Sequence, residues 1–211
     1  MTDALPLIAV YADESCLGNG REGENPGGAA GLIEYRNPRT KGLTRWDYWR
    51  SERATTNNRM ALWSAIEGFR IIARKGGRFR VVFTSDSRYL VDGMCEWVHG
   101  WIGRGWRRKG GTIENLELWQ EAVERARAHV TQWKWVRGHR GHVQNEYANH
   151  LAMRAASEQT TSNGAVTSGF DVWLASERAA GRLQAEPAGF PLERTFKPSR
   201  PFPVANATLL G

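Results

Sequence analysis

The sequence predicts an α/β protein, a sheet packed with helices, on three observations. Strand-like runs alternate with runs whose apolar residues recur at helical spacing, in the order βββαβααβα. Glycine- and proline-bearing turns separate them. Two of the strand-like runs, Leu7 to Asp13 and Val81 to Asp86, climb through β-prone residues and stop at an aspartate. Neighbouring strands that end at one rim would bring those two carboxylates together, and two anions that close need a divalent cation or a shared proton. Either aspartate alone would equally serve as a turn cap.

Taken in order, the first strand leads into Asp13. Residues 27–36 and 43–50, joined by the turn Asn37-Pro38-Arg39-Thr40-Lys41-Gly42, read as a hairpin, so three antiparallel strands open the domain. From Asn57 to about Ala73, Leu62, Ala65, Ile66, Phe69 and Ile72 fall on one helical face, with Thr55, Thr56 and Asn57 as available caps. Gly76-Gly77 ends that helix and the Asp86 strand follows. Ser87 to Val98 and Glu114 to Ala128 read as helices, Val130 to Val136 as the last strand, and Gln144 to Ala156 as the last helix. Beyond Ser157 the composition changes. Thr160 to Gly164 reads as a linker, and a short helix at about 171–183 is expected to dock through Val172, Trp173 and Leu174. The stretch from Pro187 to Pro203, with five of the chain's eight prolines, is expected to be extended or disordered. The predicted organisation is a domain over 1–157 and an extension over 158–211.

At 211 residues, 41% hydrophobic and 24% charged, the composition is that of a soluble globular protein with a sizeable core. No run approaches the length of a membrane span, and the N-terminus lacks a signal peptide's basic segment and apolar core. The expectation is a cytoplasmic monomer with no membrane partner. Cys16 and Cys95 are the only cysteines, which excludes a disulfide framework and a zinc-binding cysteine pattern. A net charge of +7 favours a polyanionic partner. The cations concentrate between Trp97 and Ile113, where Arg104, Arg107, Arg108 and Lys109 are interleaved with Trp97, Trp101 and Trp106 and no acid occurs. Such a segment can meet phosphates with its cations and sugars or bases with its indoles. The alternative is that Trp97 and Trp101, four apart, are core anchors beneath a solvated loop.

Four segments resemble type 1 ribonuclease H. They are Tyr11-Ala12-Asp13-Glu14-Ser15-Cys16-Leu17-Gly18-Asn19, Thr55-Thr56-Asn57-Asn58-Arg59-Met60, Thr84-Ser85-Asp86-Ser87, and Trp135-Val136-Arg137-Gly138-His139-Arg140-Gly141-His142. The resemblance covers about residues 7–156 and places the basic Trp-rich segment, about 97–111, where bacterial members carry a substrate-binding handle. It implies a ribonuclease H-like fold with a five-stranded mixed sheet, and cleavage of the RNA strand of an RNA/DNA hybrid with Mg²⁺, or Mn²⁺ in its place. By position it makes Asp13 and Asp86 the strand-borne metal ligands. His139 becomes the loop histidine that assists proton transfer or product release. Asn57 and Asn58 become contacts in the hybrid's minor groove. Cys16, Asn19 and Arg88 are placed to touch the nucleic-acid backbone.

The chain departs from the family at two positions. The helix-borne glutamate is replaced by Ala61, and the metal-binding aspartate of the last helix by Asn149, which can still offer a carbonyl oxygen. A unit charge at about 4 Å is worth on the order of 4 kcal/mol at an effective dielectric near 20, so losing two should weaken metal binding. Glu67, six residues beyond Ala61, faces another side of the helix and is rejected as a substitute. Glu14 is the better replacement, although strand alternation would point it away from Asp13 unless the strand breaks there. Three readings follow: an active enzyme with an altered metal site, a hybrid-binding module without chemistry, or a nuclease disabled by changes of the kind chosen to trap a substrate. A polynucleotidyl transferase or integrase of the same fold fits the handle and the Gly-His-Arg-Gly-His loop less well.

Overall fold

The computed structural model describes residues 5–18, 24–138 and 141–203. Six strands, β1 (Leu7–Cys16), β2 (Gly27–Arg36), β3 (Leu43–Glu52), β4 (Arg80–Ser85), β5 (Val130–Trp135) and β6 (Val166–Thr167), form one mixed sheet in the order β5-β4-β1-β2-β3-β6. β1, β2 and β3 pair antiparallel, as expected, while β4 runs parallel to both β1 and β5. The continuous apolar run of β1 reflects burial on both faces. Ile8, Val10 and Ala12 join one core, and Leu7, Ala9 and Tyr11 the other.

The first of those cores is filled by α1 (Asn57–Ala73), whose N-terminus is fixed by Thr56, its side chain accepting from the Arg59 amide. All five apolar residues that define the helical face in the sequence are buried there. α2 (Arg88–Asp92), a π-helical turn over Gly93–Trp97, and α3 (Val98–Gly103) follow β4 and lead into the basic loop and α4 (Leu116–Arg127). α5 (Val143–Glu158) covers the opposite face. It lies unusually close to β2, because Gly28 has no Cβ: one placed there would stand 2.1 Å from the Ala152 carbonyl oxygen. No helix among the described residues is long and apolar enough to cross a membrane.

The sixth strand comes from the extension and is too short to carry a periodic signal. β6 adds to the β3 edge, and α6 (Phe170–Ala179) packs Phe170 against Tyr147 of α5. Buried Asp47 ties the two together, accepting from Tyr147 Oη at 2.6 Å and from the Gly169 amide at 3.0 Å. The helix ends at Ala179, short of the expected 183, with Gly181 in the left-handed region just beyond it. The proline-rich stretch is extended and packed. Phe190 is buried, Phe196 is partly buried, and Phe202 stacks on His99. At the other sheet edge the Ser199 amide donates to Thr131 O at 2.9 Å, and the Trp133 amide donates to Ser199 Oγ at 3.1 Å. The extension thus lines both edges of the sheet.

Candidate active site

β1 and β4 end at the same rim because they are parallel neighbours in register, with Ala12 opposite Ser85. The next residues, Asp13 and Asp86, therefore sit side by side. Glu14 joins them: carboxylate oxygens of Asp13, Glu14 and Asp86 lie within 4.8 Å of one another. Alternation along β1 would send Glu14 to the other face. It reaches the cluster because β4 stops at Ser85, leaving the Glu14 side chain free to pass over the strand end to Ser87.

Asp13 is 5% exposed, with Oδ1 accepting from the Glu14 amide at 2.7 Å and Oδ2 from Asn145 Nδ2 at 2.6 Å. Burial, then the charges of Glu14 and Asp86, push its carboxyl well above the usual range, against the pull of those two donors. Burial and the Asp86 charge likewise push Glu14 up to about 8, with Ser87 acting in the opposite direction. Two oxygens here are buried without a hydrogen-bond partner, Glu14 Oε2 and Asn145 Oδ1. Clustered carboxylates that resist ionisation, beside unpartnered oxygens, are the donor set of a hard divalent cation.

The neighbouring residues hold the rim in place. Trp135 Nε1 donates to the Asp86 carbonyl at 3.0 Å, and the Arg88 guanidinium lies 4.0 Å over the Trp135 ring. The backbone of Gly138 passes so close that a Cβ there would stand 2.1 Å from Asp86 Oδ2. A Gly138→Ala substitution should therefore displace the Asp86 carboxylate. Displacements on the order of 1 Å cost roughly 100-fold in rate, so steady-state cleavage should fall by about that factor while the melting temperature changes little.

Asn57 and Asn58 occupy the first turn of α1, half-buried, with Asn57 Oδ1 buried and unpartnered. Ala61 is fully buried in the core behind them. Glu67 is held by Arg50 and Arg70, away from this chemistry. Cys16 is tied by its thiol to the carbonyls of Asn25 and Thr55. Asn149 lies one turn beyond Asn145 on α5, its amide 3.7 Å from Met153 Sδ. Asn19 and His139 lie outside the described residues. His142 stacks obliquely on Tyr11, and burial, then Lys134, holds its pKa down. The role of Asn145, which orients Asp13, was not read from the sequence. The signal available there is its position one helical turn before Asn149.

The basic segment divides into two parts. Trp101 packs edge-on against buried Trp119, so it anchors the core, whereas Trp97 remains 38% exposed. Both line a cleft of about 560 Å³ with Tyr89, Arg104, Arg108 and Lys109. Arg107 is exposed beside them and Trp106 is half-buried. None of Arg104, Arg107, Arg108 and Lys109 forms an ion pair with a described residue.

A mixed sheet that brings strand-end carboxylates to one rim beside a basic, aromatic cleft defines a metal-dependent nucleic-acid enzyme of the ribonuclease H fold. The RNase H family model matches residues 6–157, and the chain belongs to that family. The ribonuclease H of Pseudomonas putida strain W619 is 40% identical over 152 residues, covering 72% of this chain and 94% of that one. The enzyme of Pelobacter propionicus is 38% identical over 152 residues, covering 72% and 85%. Among solved structures, LC9-RNase H1, described as a type 1 RNase H with the type 2 active-site motif, is 60% identical with a TM-score of 0.88, over 98% of both chains. The likeness to that protein therefore includes the extension. The foamy-virus RNase H domain, 14% identical with a TM-score of 0.60 over 74% of this chain and 97% of that one, shares the fold.

Proposed function

We propose that this protein hydrolyses the RNA strand of RNA/DNA hybrids as a monomer, with a metal centre in which Glu14 takes over from the helix-borne glutamate. The observation that carries this reading is the convergence of Glu14 with Asp13 and Asp86. A third carboxylate is present after all, which favours the enzyme over a hybrid-binding module. LC9-RNase H1, 60% identical, is described as a type 1 RNase H with the type 2 active-site motif, which supports an active-site motif here that differs from the usual type 1 one. Asp13, Glu14 and Asp86 would hold the cation, Mg²⁺ or Mn²⁺, and Asn149 would offer a neutral oxygen from α5. When bound, the metal supplies an activated water and stabilises the departing 3′ oxygen.

The chain's own residues do the rest. Asn145 and the Glu14 amide fix the Asp13 carboxylate. Trp135 and Gly138 fix Asp86. Asn57 and Asn58 face the minor groove, where a ribose 2′-hydroxyl distinguishes RNA from DNA. Cys16, Asn19 and Arg88 border the backbone, and His139, next to Gly138, moves a proton or helps the product leave. The basic segment grips the flanking phosphates.

The test is incubation of the purified chain with a labelled hybrid in Mg²⁺ and in Mn²⁺, beside the Ala61→Glu, Asn149→Asp double variant. Cleavage by the unmodified chain within about tenfold of that variant, a difference of some 1.4 kcal/mol in barrier, supports the proposal. Tight binding with no product would overturn it. Neutralising Arg104, Arg107, Arg108 and Lys109 together should weaken hybrid binding and flatten its log–log salt dependence by about 3 to 4, near 0.9 for each phosphate no longer neutralised. Fluorescence anisotropy across a salt series checks this.

A further inference from the structure

Asn145 reaches Asp13 from the first turn of α5, and that turn is not secured by the helix itself. His142 stands at the N-cap and makes no side-chain hydrogen bond to the turn, so the cap that ordinarily fixes a helix start is missing. The turn is gripped instead by the extension. Gln144 Nε2 donates to the Ala188 carbonyl at 2.6 Å, and the Ala188 amide donates to Gln144 Oε1 at 3.0 Å. One carboxamide thus meets both backbone groups of a single residue.

The segment that carries Ala188 is held on both sides of it. Phe190 is buried in the α5-side core and Ala185 packs against that core. Arg178 of α6 pairs with Glu186 at 2.7 Å and donates to the Ala185 carbonyl at 3.4 Å. The same segment passes the loop that precedes α5, where a Cβ placed on Gly141 would stand 3.6 Å from Ala185 Cβ.

Gln144 and Asn145 are adjacent and stand about 100° apart around the helix axis. One side chain therefore reaches the extension while the other reaches β1. Gln144 is fully buried and Asn145 is 3% exposed, so a movement of the turn carries both amides with it. Apolar contacts through Phe170, Leu174 and Phe190 attach the extension, but such contacts are non-directional. Two hydrogen bonds to one residue set both the distance and the rotation of the turn. We infer that Gln144 is a positioning residue for the metal centre, through which the extension holds Asn145 on the Asp13 carboxylate. The inference rests on the reading of the rim as that centre.

The test uses the full chain carrying Gln144→Met, which keeps the side chain's length and helix propensity and removes both hydrogen bonds. Ala188 is exposed, so water meets its freed backbone groups. In metal-free protein the Asn145 side-chain amide, identified by its absence from Asn145→Ser, is followed by heteronuclear NMR. Its hydrogen exchange should quicken by about tenfold or more. Calorimetric titration with Mn²⁺ should give a Kd about tenfold weaker, the lower end of what losing a ligand's partner costs. Hybrid binding in chelator should stay within about twofold of the parent. Ala188→Pro, which removes the amide donor on the extension's side, should show the same two effects in smaller measure. The double variant should be no worse than Gln144→Met alone, because both changes break one contact. Phe170→Ala is the control for general loosening, and should leave the Asn145 exchange and the Kd within about twofold of the parent despite its loss of stability. Parent-like exchange in Gln144→Met would overturn the inference, as would a parent-like Kd where the parent binds Mn²⁺. Losses that multiply in the double variant, or a loss in Phe170→Ala as large as in Gln144→Met, would also overturn it and leave Gln144 as a fastening of the fold only. A parent that binds no Mn²⁺ and cleaves no hybrid would overturn the reading of the rim, while the Asn145 exchange in metal-free protein still decides whether Gln144 positions the Asp13 carboxylate.

Discussion

Glu14→Gln should abolish hybrid cleavage while making the metal-free protein more stable at neutral pH. Loss of a partner that merely orients a metal ligand costs roughly 10- to 100-fold, so loss of a ligand should cost at least the upper figure. The stability effect has the opposite sign because the Glu14 carboxyl is held up to about 8, from an unfolded value of 4.5. A carboxyl raised on folding costs nothing below its unfolded pKa, where both states are protonated. It costs progressively more as pH rises from about 4.5 towards 8, where the folded protein must ionise it beside Asp86. Metal-free stability should therefore fall across that window in the parent and fall less in the variant, as thermal melts in chelator at stepped pH would show. Added Mg²⁺ or Mn²⁺ should stabilise the parent increasingly with pH, since binding competes with protons, and should do little for Glu14→Gln. A variant that cleaves like the parent, or melts on the parent's pH profile, would remove Glu14 from the metal centre.

The second large effect is expected from the extension. Deleting residues 158–211 should leave a protein that is unfolded or barely folded. The deletion strips Phe170, Leu174 and Phe190 from the α5-side core, and burial of such side chains is worth roughly 1.5–3 kcal/mol each. Their sum is comparable to the whole stability of an ordinary domain, about 5–15 kcal/mol. It also leaves Asp47 buried with Tyr147 as partner but without the Gly169 amide. The milder Phe170→Ala substitution should cost about 3–5 kcal/mol in urea denaturation and leave cleavage at permissive temperature near the parent rate. A truncated chain with the parent's melting temperature would show that the extension contributes nothing to the fold.

The sequence revealed the layered α/β architecture because its strongest signals are local. The face of α1 through Leu62, Ile66 and Phe69, the hairpin turn at Asn37–Gly42, and the two runs ending at Asp13 and Asp86 each carry their own pattern. The resemblance agreed with the element order read from the residues, whereas the order of strands across the sheet, which no periodicity encodes, comes from the structure. Glu14 was harder, because alternation argues against it. Only the early end of β4 makes room for its side chain, and that depends on where two strands stop relative to each other. Asn145 was invisible for a similar reason: its amide reaches Asp13 from an element 132 residues away. The proline-rich stretch is extended, as one of the two expected alternatives had it, but its packing was not legible from composition. Prolines lower the expectation of order, yet Phe190, Phe196 and Phe202, six apart, fasten the segment to the domain. Spacing of that kind has no meaning until the surface it follows is known.

The lining of both sheet edges by the extension also sets an order of events. During synthesis, strands β1 to β5 are complete before Val166, Ser199 and Phe202 have been added. For that interval the amides of β3 and β5 that later meet Val166 and Ser199 are open, and open strand edges are templates for pairing with other chains. The last fifty or so residues therefore close a window of aggregation risk that every newly made copy passes through.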